Sequence, residues 1–309
     1  MASQSTVRLR WVLFAYIITL SIGSLMAVAT SPIQDEGERR IWDTIFQARP
    51  KSKTSTTTQK KPPIYRRKTP PALATDAVVG ITIWRLRRST AADRGERILE
   101  HTSEGGQAEW TPERVEADTR LSVGDRVRLS IETPRTGFLY VIDREQYADG
   151  TLSDPYLIFP TKRTRGGDNA VAAGRLIEIP AQEDTPNYFT LKPGRPDQVA
   201  EILTVLITLQ PLKNLEIGRM PLNLSKEQVA DWEQKWDAPV ERFELVDGAG
   251  KKWTKEEKAA GADASRLLTQ EEPAPQTIYR VAAKPGDPLI VTVQLRYGDS
   301  KPAPQPPSR

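Results

Sequence analysis

Apolar and polar residues alternate with a period of two over much of the chain beyond Asp76. In "LSVGDRVRLSIETP", Val127, Leu129 and Ile131 fall on one side and Arg126, Arg128 and Ser130 on the other. That pattern predicts a strand with one face in the core and one in water. "AVVGITIWRLR" predicts a second strand through Val79, Ile81 and Ile83. Further strands are predicted at "GFLYVID", "YLIFP", "RLIEIP", "YFTLKP", "EILTVLITL", "RFEL", "TIYRVAA" and "LIVTVQLRY". About ten short strands separated by turn residues predict a mainly β fold over residues 76–298, a β-sandwich of immunoglobulin-like or jelly-roll-like type.

The period changes in a helical insertion at about 211–275. Ser225 and Gln228 stand at capping-box spacing, Leu224 and Val229 at the hydrophobic-staple positions, and Val229, Trp232 and Trp236 share one helical face. A helix is expected from Lys226 to about Trp236, its tryptophan stripe serving as core. "WTKEEKAAG" repeats the signal, with Thr254 as N-cap, Glu257 three residues on and Gly261 as a stop.

The ends of the chain read differently. Arg8 and Arg10 precede an apolar run from Trp11 to Met26 and the small residues Ala27-Val28-Ala29, so residues 1–29 read as a signal peptide, with an uncleaved membrane anchor as the competing reading. Residues 30–75 read as a basic, Pro/Thr/Lys-rich linker: "RPKSKTSTTTQKKPPIYRRK", Arg49 to Lys68, holds eight basic and no acidic residues and too little apolar surface to offset its ordering entropy. Such a run is also suited to contact with anionic lipid or polymer. Just before it, Ile41, Trp42, Ile45 and Phe46 suggest a short amphipathic helix. The tail 299–309, "DSKPAPQPPSR", reads as disordered.

Charge follows this division. Of the formal net charge of +4, residues 1–29 carry +2 and residues 30–75 carry +6, which leaves −4 on residues 76–309. A mildly acidic body argues against a nucleic-acid-binding face. The chain has no cysteine, which removes disulfides, thiol catalysis and cysteine metal sites, and its composition fits export to a periplasm or beyond. Its one histidine, His101, lies in a loop-like stretch without a G-x-S-x-G motif, so it reads as solvent-exposed and triad chemistry lacks its parts. "DGAGKKW" lacks the phosphate-loop spacing and reads as a glycine turn.

Two loops carry candidate chemistry. Asp143, Glu145, Asp149 and Asp154 surround an Asp149-Gly150 hairpin signal. They read first as a soluble turn, with calcium ligation or a glycosidase-type carboxylate pair as alternatives, although the EF-hand spacing is absent. "TKRTRGGDNAVAAG" sets Lys162, Arg163 and Arg165 beside Asp168 and Asn169, a candidate anion site whose bland counterpart is pairing with the acidic hairpin.

The motifs Gly124-Asp125, Gly137 to Ile142, Asp149-Gly150, Leu157 to Pro160 and Gly174 to Pro180 occur in an order that resembles the bacterial domain-of-unknown-function family 4384. The resemblance spans about the first two thirds of the body, and Pro211 onward departs from the family's short form. It implies a non-catalytic accessory domain of exported or signalling proteins and supplies no functional residues. The resulting expectation is an exported envelope module, periplasmic or extracellular, that binds a protein partner through a sheet edge or loop surface and uses no cofactor. The alternatives are a calcium-stabilised carbohydrate binder and a glycan hydrolase built on carboxylates such as Asp143, Glu145 and Asp149.

Overall fold

The structure, a computed structural model, describes residues 49–51, 63–69, 77–101 and 107–298. The expected signal segment, the helix at Ile41 to Phe46 and the tail lie outside these residues. One sheet contains β1 (Tyr65–Arg67), β2 (Ala77–Arg88), β3 (Ile98–His101), β4 (Gln107–Val115), β5 (Arg126–Glu132), β9 (Leu176–Ile179), β10 (Phe189–Thr190), β13 (Val240–Leu245) and β14 (Thr277–Val281). The other contains β6 (Gly137–Tyr147), β7 (Tyr156–Phe159), β8 (Ala170–Val171), β11 (Gln198–Thr208), β12 (Leu222–Asn223) and β15 (Leu289–Arg296). All the strand pairs in both sheets are antiparallel, and the result is the expected β-sandwich.

Long β2 is the spine of the first sheet. One of its edges pairs with β14 and then β4, with Val79 opposite Tyr279 and Ile83 opposite Val115, while its other edge pairs with β5. The second sheet is centred on β6 and β11, which stay in register from Phe138↔Thr208 to Ala200. Between the sheets lies an aliphatic core of Val79, Ile81, Ile83, Val127, Leu129, Ile131, Leu139, Val141, Leu203, Val205 and their neighbours. The inward positions of the period-two pattern therefore identified the core.

The two helices fall where expected, on the outer faces. Helix α1 (Lys226–Lys235) begins at Ser225, whose Oγ accepts from the Gln228 amide at 3.0 Å, and Leu224 and Val229 are both buried. Trp232 and Trp236 stack with ring centroids 6.1 Å apart and pack over Tyr140, Ile142, Leu157 and Leu206 of the second sheet. Both are partly buried and close over that cluster. Helix α2 (Lys255–Ala262) starts on the Thr254–Glu257 capping box. Gly261 does not stop it but lies inside it: a Cβ there would sit 2.1 Å from the Glu178 carboxyl carbon, so the missing side chain lets the helix close on the first sheet.

That closure overturns one expectation. Arg128 and Ser130 are not wet: Arg128 is 2 % exposed and Ser130 5 %. The α2 segment covers this face, and Arg128 meets Glu178 at 2.8 Å and lies 5.3 Å from the centre of the Trp253 ring. Burial pushes the Glu178 carboxyl up and the Arg128 guanidinium down, and their attraction offsets this only in part. Beside them Arg114 pairs with Glu257, and Arg49 with Glu132.

The linker expectation is also corrected where the structure describes the segment. Tyr65 is 1 % exposed and donates its hydroxyl to the Pro275 carbonyl at 2.8 Å, while β1 pairs with β13. Arg49 is 4 % exposed and donates to Glu132 and to the Glu272 carbonyl. Basic residues in this run are anchored by buried carboxylates and by the edge of β13. The insertion at 211–275 also holds the strand expected at "RFEL", β13, which lies between β1 and β14 in the first sheet. Among the described residues no helix is long and apolar enough to cross a membrane.

Candidate functional site

The inward face of the second sheet changes chemistry toward one end. On β6 the series Leu139, Val141 continues as Asp143, Glu145 and Tyr147; on β11 the series Ile207, Val205, Leu203 ends in Glu201. Beyond β15, Leu295 is followed on the same side by Tyr297. The register sets Glu201 opposite Glu145 and Leu203 opposite Asp143, so three carboxyls share a patch at the mouth of the sandwich.

Each has its own environment. Glu145 accepts the Tyr147 hydroxyl at 2.7 Å, and Gly194 packs so closely that a Cβ there would lie 2.3 Å from Glu145 Oε1. Glu201, 8 % exposed, accepts the Tyr297 hydroxyl at 2.6 Å through Oε1. Its Oε2 and the Asp143 Oδ1 are buried and receive no donor from the protein. Asp143 and Glu201 act on each other's titration, and a proton shared between the two carboxyls would satisfy both oxygens. Burial raises the Asp143 carboxyl well above the ordinary range, and the charges of Glu201 and Glu145 push it the same way. Burial also raises Glu201, against the hydrogen bonds from Tyr297 and Gln198.

In front of this patch lies a groove of about 800 Å³. Asp143, Glu145, Asp154, Tyr156, Arg195 and Met220 line it. Arg195 stacks on Tyr147 at 3.9 Å and pairs with Asp197 at 2.7 Å. Three of the exposed large apolar side chains, Leu152, Tyr156 and Met220, gather at its rim.

The four acidic residues picked from the sequence are thus divided. Asp143 and Glu145 belong to β6, not to the turn. Asp149 does close the hairpin: its Oδ1 accepts from the Thr151 amide at 2.9 Å, beside Gly150 at φ 85°. Asp154 pairs with Lys226 at 2.9 Å on the surface. Among the described residues no group of three or more Asp, Glu or His side chains converges on a point where it could hold a metal ion. Of the four residues named as possible calcium ligands, Asp143, Glu145 and Asp154 line the groove and Asp149 is taken up by the turn.

The basic loop is tied to itself rather than to that hairpin. Arg165 reaches Asp168 at 3.4 Å, its amide donates to Asp184 at 3.0 Å, and Asn169 donates to the Leu139 carbonyl at 3.0 Å. Lys162 and Arg163 remain exposed, and none of the five residues lines the groove in front of the acidic patch. His101 is the last residue of β3, opposite Gln107, and so stands in a strand rather than a loop.

Glu201 and Tyr297 escaped the sequence reading because they stand far along the chain from the hairpin. A signal for Glu201 was present: it is the one charged residue at an inward position of "EILTVLITL".

A pH prediction follows from the raised Asp143 and Glu201 carboxyls. A carboxyl raised above its unfolded value contributes stability that is fully present below the unfolded pKa, about 4, and is lost as pH rises through the raised folded value. Asp143→Asn should flatten that fall and raise the melting temperature near neutrality. Melting curves from about pH 4 to neutrality check it, and an unchanged slope in the variant would mean that the Asp143 carboxyl is not raised.

No protein-family model, curated protein or solved structure matches the chain.

Proposed function

We propose that the chain is a non-catalytic binding module of the bacterial cell envelope, and that a segment of a protein partner docks in the groove at the mouth of the sandwich. The observation that carries this reading is the gathering of exposed Leu152, Tyr156 and Met220 around a wall made by Asp143 and Glu145. An apolar rim beside carboxyls fits a peptide that presents an apolar residue next to a basic one. Export is supported by the apolar run Trp11 to Met26 with its preceding arginines. The accessory role is supported by the resemblance to family 4384.

The test is retention of envelope proteins by the immobilised full chain. Tyr156→Ser with Met220→Ser should lower retention about tenfold or more, as expected for loss of central apolar anchors. Lys162→Ala with Arg163→Ala, outside the groove, should leave it unchanged. Equal retention by the groove variant would overturn the reading.

One observation favours a second reading. Burial and the charges of Glu201 and Glu145 raise the Asp143 carboxyl, and Glu145 shares its strand face, a placement that suits an acid and its partner in carboxylate catalysis. Turnover of an envelope glycan that disappears in both Asp143→Asn and Glu145→Gln would establish it, now without Asp149.

A further inference from the structure

We propose that the free edge of β15 is a self-association surface, on which a second copy of this chain pairs its own β15 antiparallel to the first and joins the two second sheets into one. This does not depend on the groove reading.

β15 is hydrogen-bonded on one side to β11, in unbroken register from Ala200↔Arg296 to Ile207↔Leu289. Its other side meets Leu121 only at its end, where the Leu121 amide donates to the Arg296 carbonyl and the Gly298 amide donates to the Leu121 carbonyl, both at 2.8 Å. The Arg296 carbonyl therefore points away from β11. Because backbone direction alternates along a strand, the amides and carbonyls of Ile290, Thr292 and Gln294 point the same way. Among the described residues no strand pairs with them.

Natural sheets blunt such edges with short strands, charges, prolines or bulges. The other edge strands here follow that rule: β1 has three residues, β3 four and β12 two. β15 has eight, and from Leu289 to Leu295 it carries no charge, no proline and no bulge. An edge of that kind is built to be covered. The chain's own tail is a poor cover, since "KPAPQPPSR" is rich in proline and lacks the donors that a strand ladder needs.

A second β15 fits by its own sequence. Centred on Thr292, a two-fold antiparallel register sets Thr292 against Thr292 of the other copy, Ile290 against Gln294, and Pro288 against Arg296. Ile290, Thr292 and Gln294 then exchange both backbone bonds with their opposites, and the ladder ends there, because Pro288 has no amide hydrogen and the Arg296 carbonyl is taken by Leu121. The threonine pair is a favourable cross-strand match, and the two Arg296 side chains are kept apart. The interface is isologous and closes at two copies.

Thr292 is exposed and the chain has no cysteine, so a single thiol can report on the register. Across an antiparallel pair the two Cα atoms would lie about 5.5 Å apart, within disulfide reach. The full chain should sediment as a dimer. Thr292→Cys should yield a covalent dimer on mild oxidation, and Lys255→Cys, on α2 beyond the other sheet, should not. Thr292→Lys sets like charges face to face, and should weaken the dimer about threefold or more with the melting temperature of the monomer unchanged. A chain that stays monomeric at every concentration reached would overturn the proposal. So would a dimer that Thr292→Lys leaves intact and Thr292→Cys fails to cross-link.

Discussion

Arg114→Met should destabilise the fold by about 3–5 kcal/mol, the cost of leaving a buried carboxylate without its counter-charge. Arg114 is 4 % exposed and Glu257 7 %. The guanidinium donates to Glu257 Oε1 through Nε at 2.9 Å and again through Nη2, and to the Ala274 carbonyl at 2.8 Å. Without it, Glu257 keeps only its capping bond to the Thr254 amide at 2.7 Å. Adding Glu257→Gln to Arg114→Met should recover most of the loss, because the amide still caps the helix and no charge remains buried. Urea unfolding at neutral pH measures both; a single variant within about 1 kcal/mol of wild type would mean that Glu257 is not desolvated.

Gly137→Ala should cost about 3 kcal/mol, at the upper end of what overpacking does. A Cβ at Gly137 would lie 2.1 Å from the Thr208 carbonyl oxygen and 3.1 Å from its carbon. Both are backbone atoms of the central β6–β11 ladder, so neither can swing aside. Gly150→Ala makes the comparison informative: Gly150 has φ 85° with no atom near the added carbon, and that change should cost only about 1–2 kcal/mol of left-handed strain. Equal melting temperatures for the two variants would contradict the close approach of β6 and β11.

The contrast between those glycines mirrors what the sequence made legible. Gly150 is visible in a linear reading, because Asp-Gly marks a turn wherever it stands. Gly137 and Gly261 answer to residues 71 and 83 positions away along the chain, and no local pattern states that. The same division holds for strands. The aliphatic runs of β2, β5, β6, β11 and β15 were legible because one face of each meets the common core. β4, "QAEWTPERV", was not, since it alternates charges with a proline, and its Pro112 amide position needs no donor there. β1 was hidden in a basic run in which buried Tyr65 is the one large apolar side chain of the strand. The polar side of β5 was misjudged for a related reason: alternation reports that a face is polar, and only the α2 segment decides that it is covered. At the candidate site, Asp143 and Glu145 were visible in the sequence as part of an acid-rich stretch, while the approach of Glu201 depended on strand register, which composition does not encode.

The pairing of β2 with β14 has a bearing on when the chain can fold. Val79 meets Tyr279, and the second sheet takes its last member from Leu289–Arg296, so neither sheet can be finished while the final third of the polypeptide is still being made. Closing loops of that length is slow, and it has to await the late strands. The amino-terminal strands would thus stay open until the carboxyl end is available, and both sheets would close together as one late event.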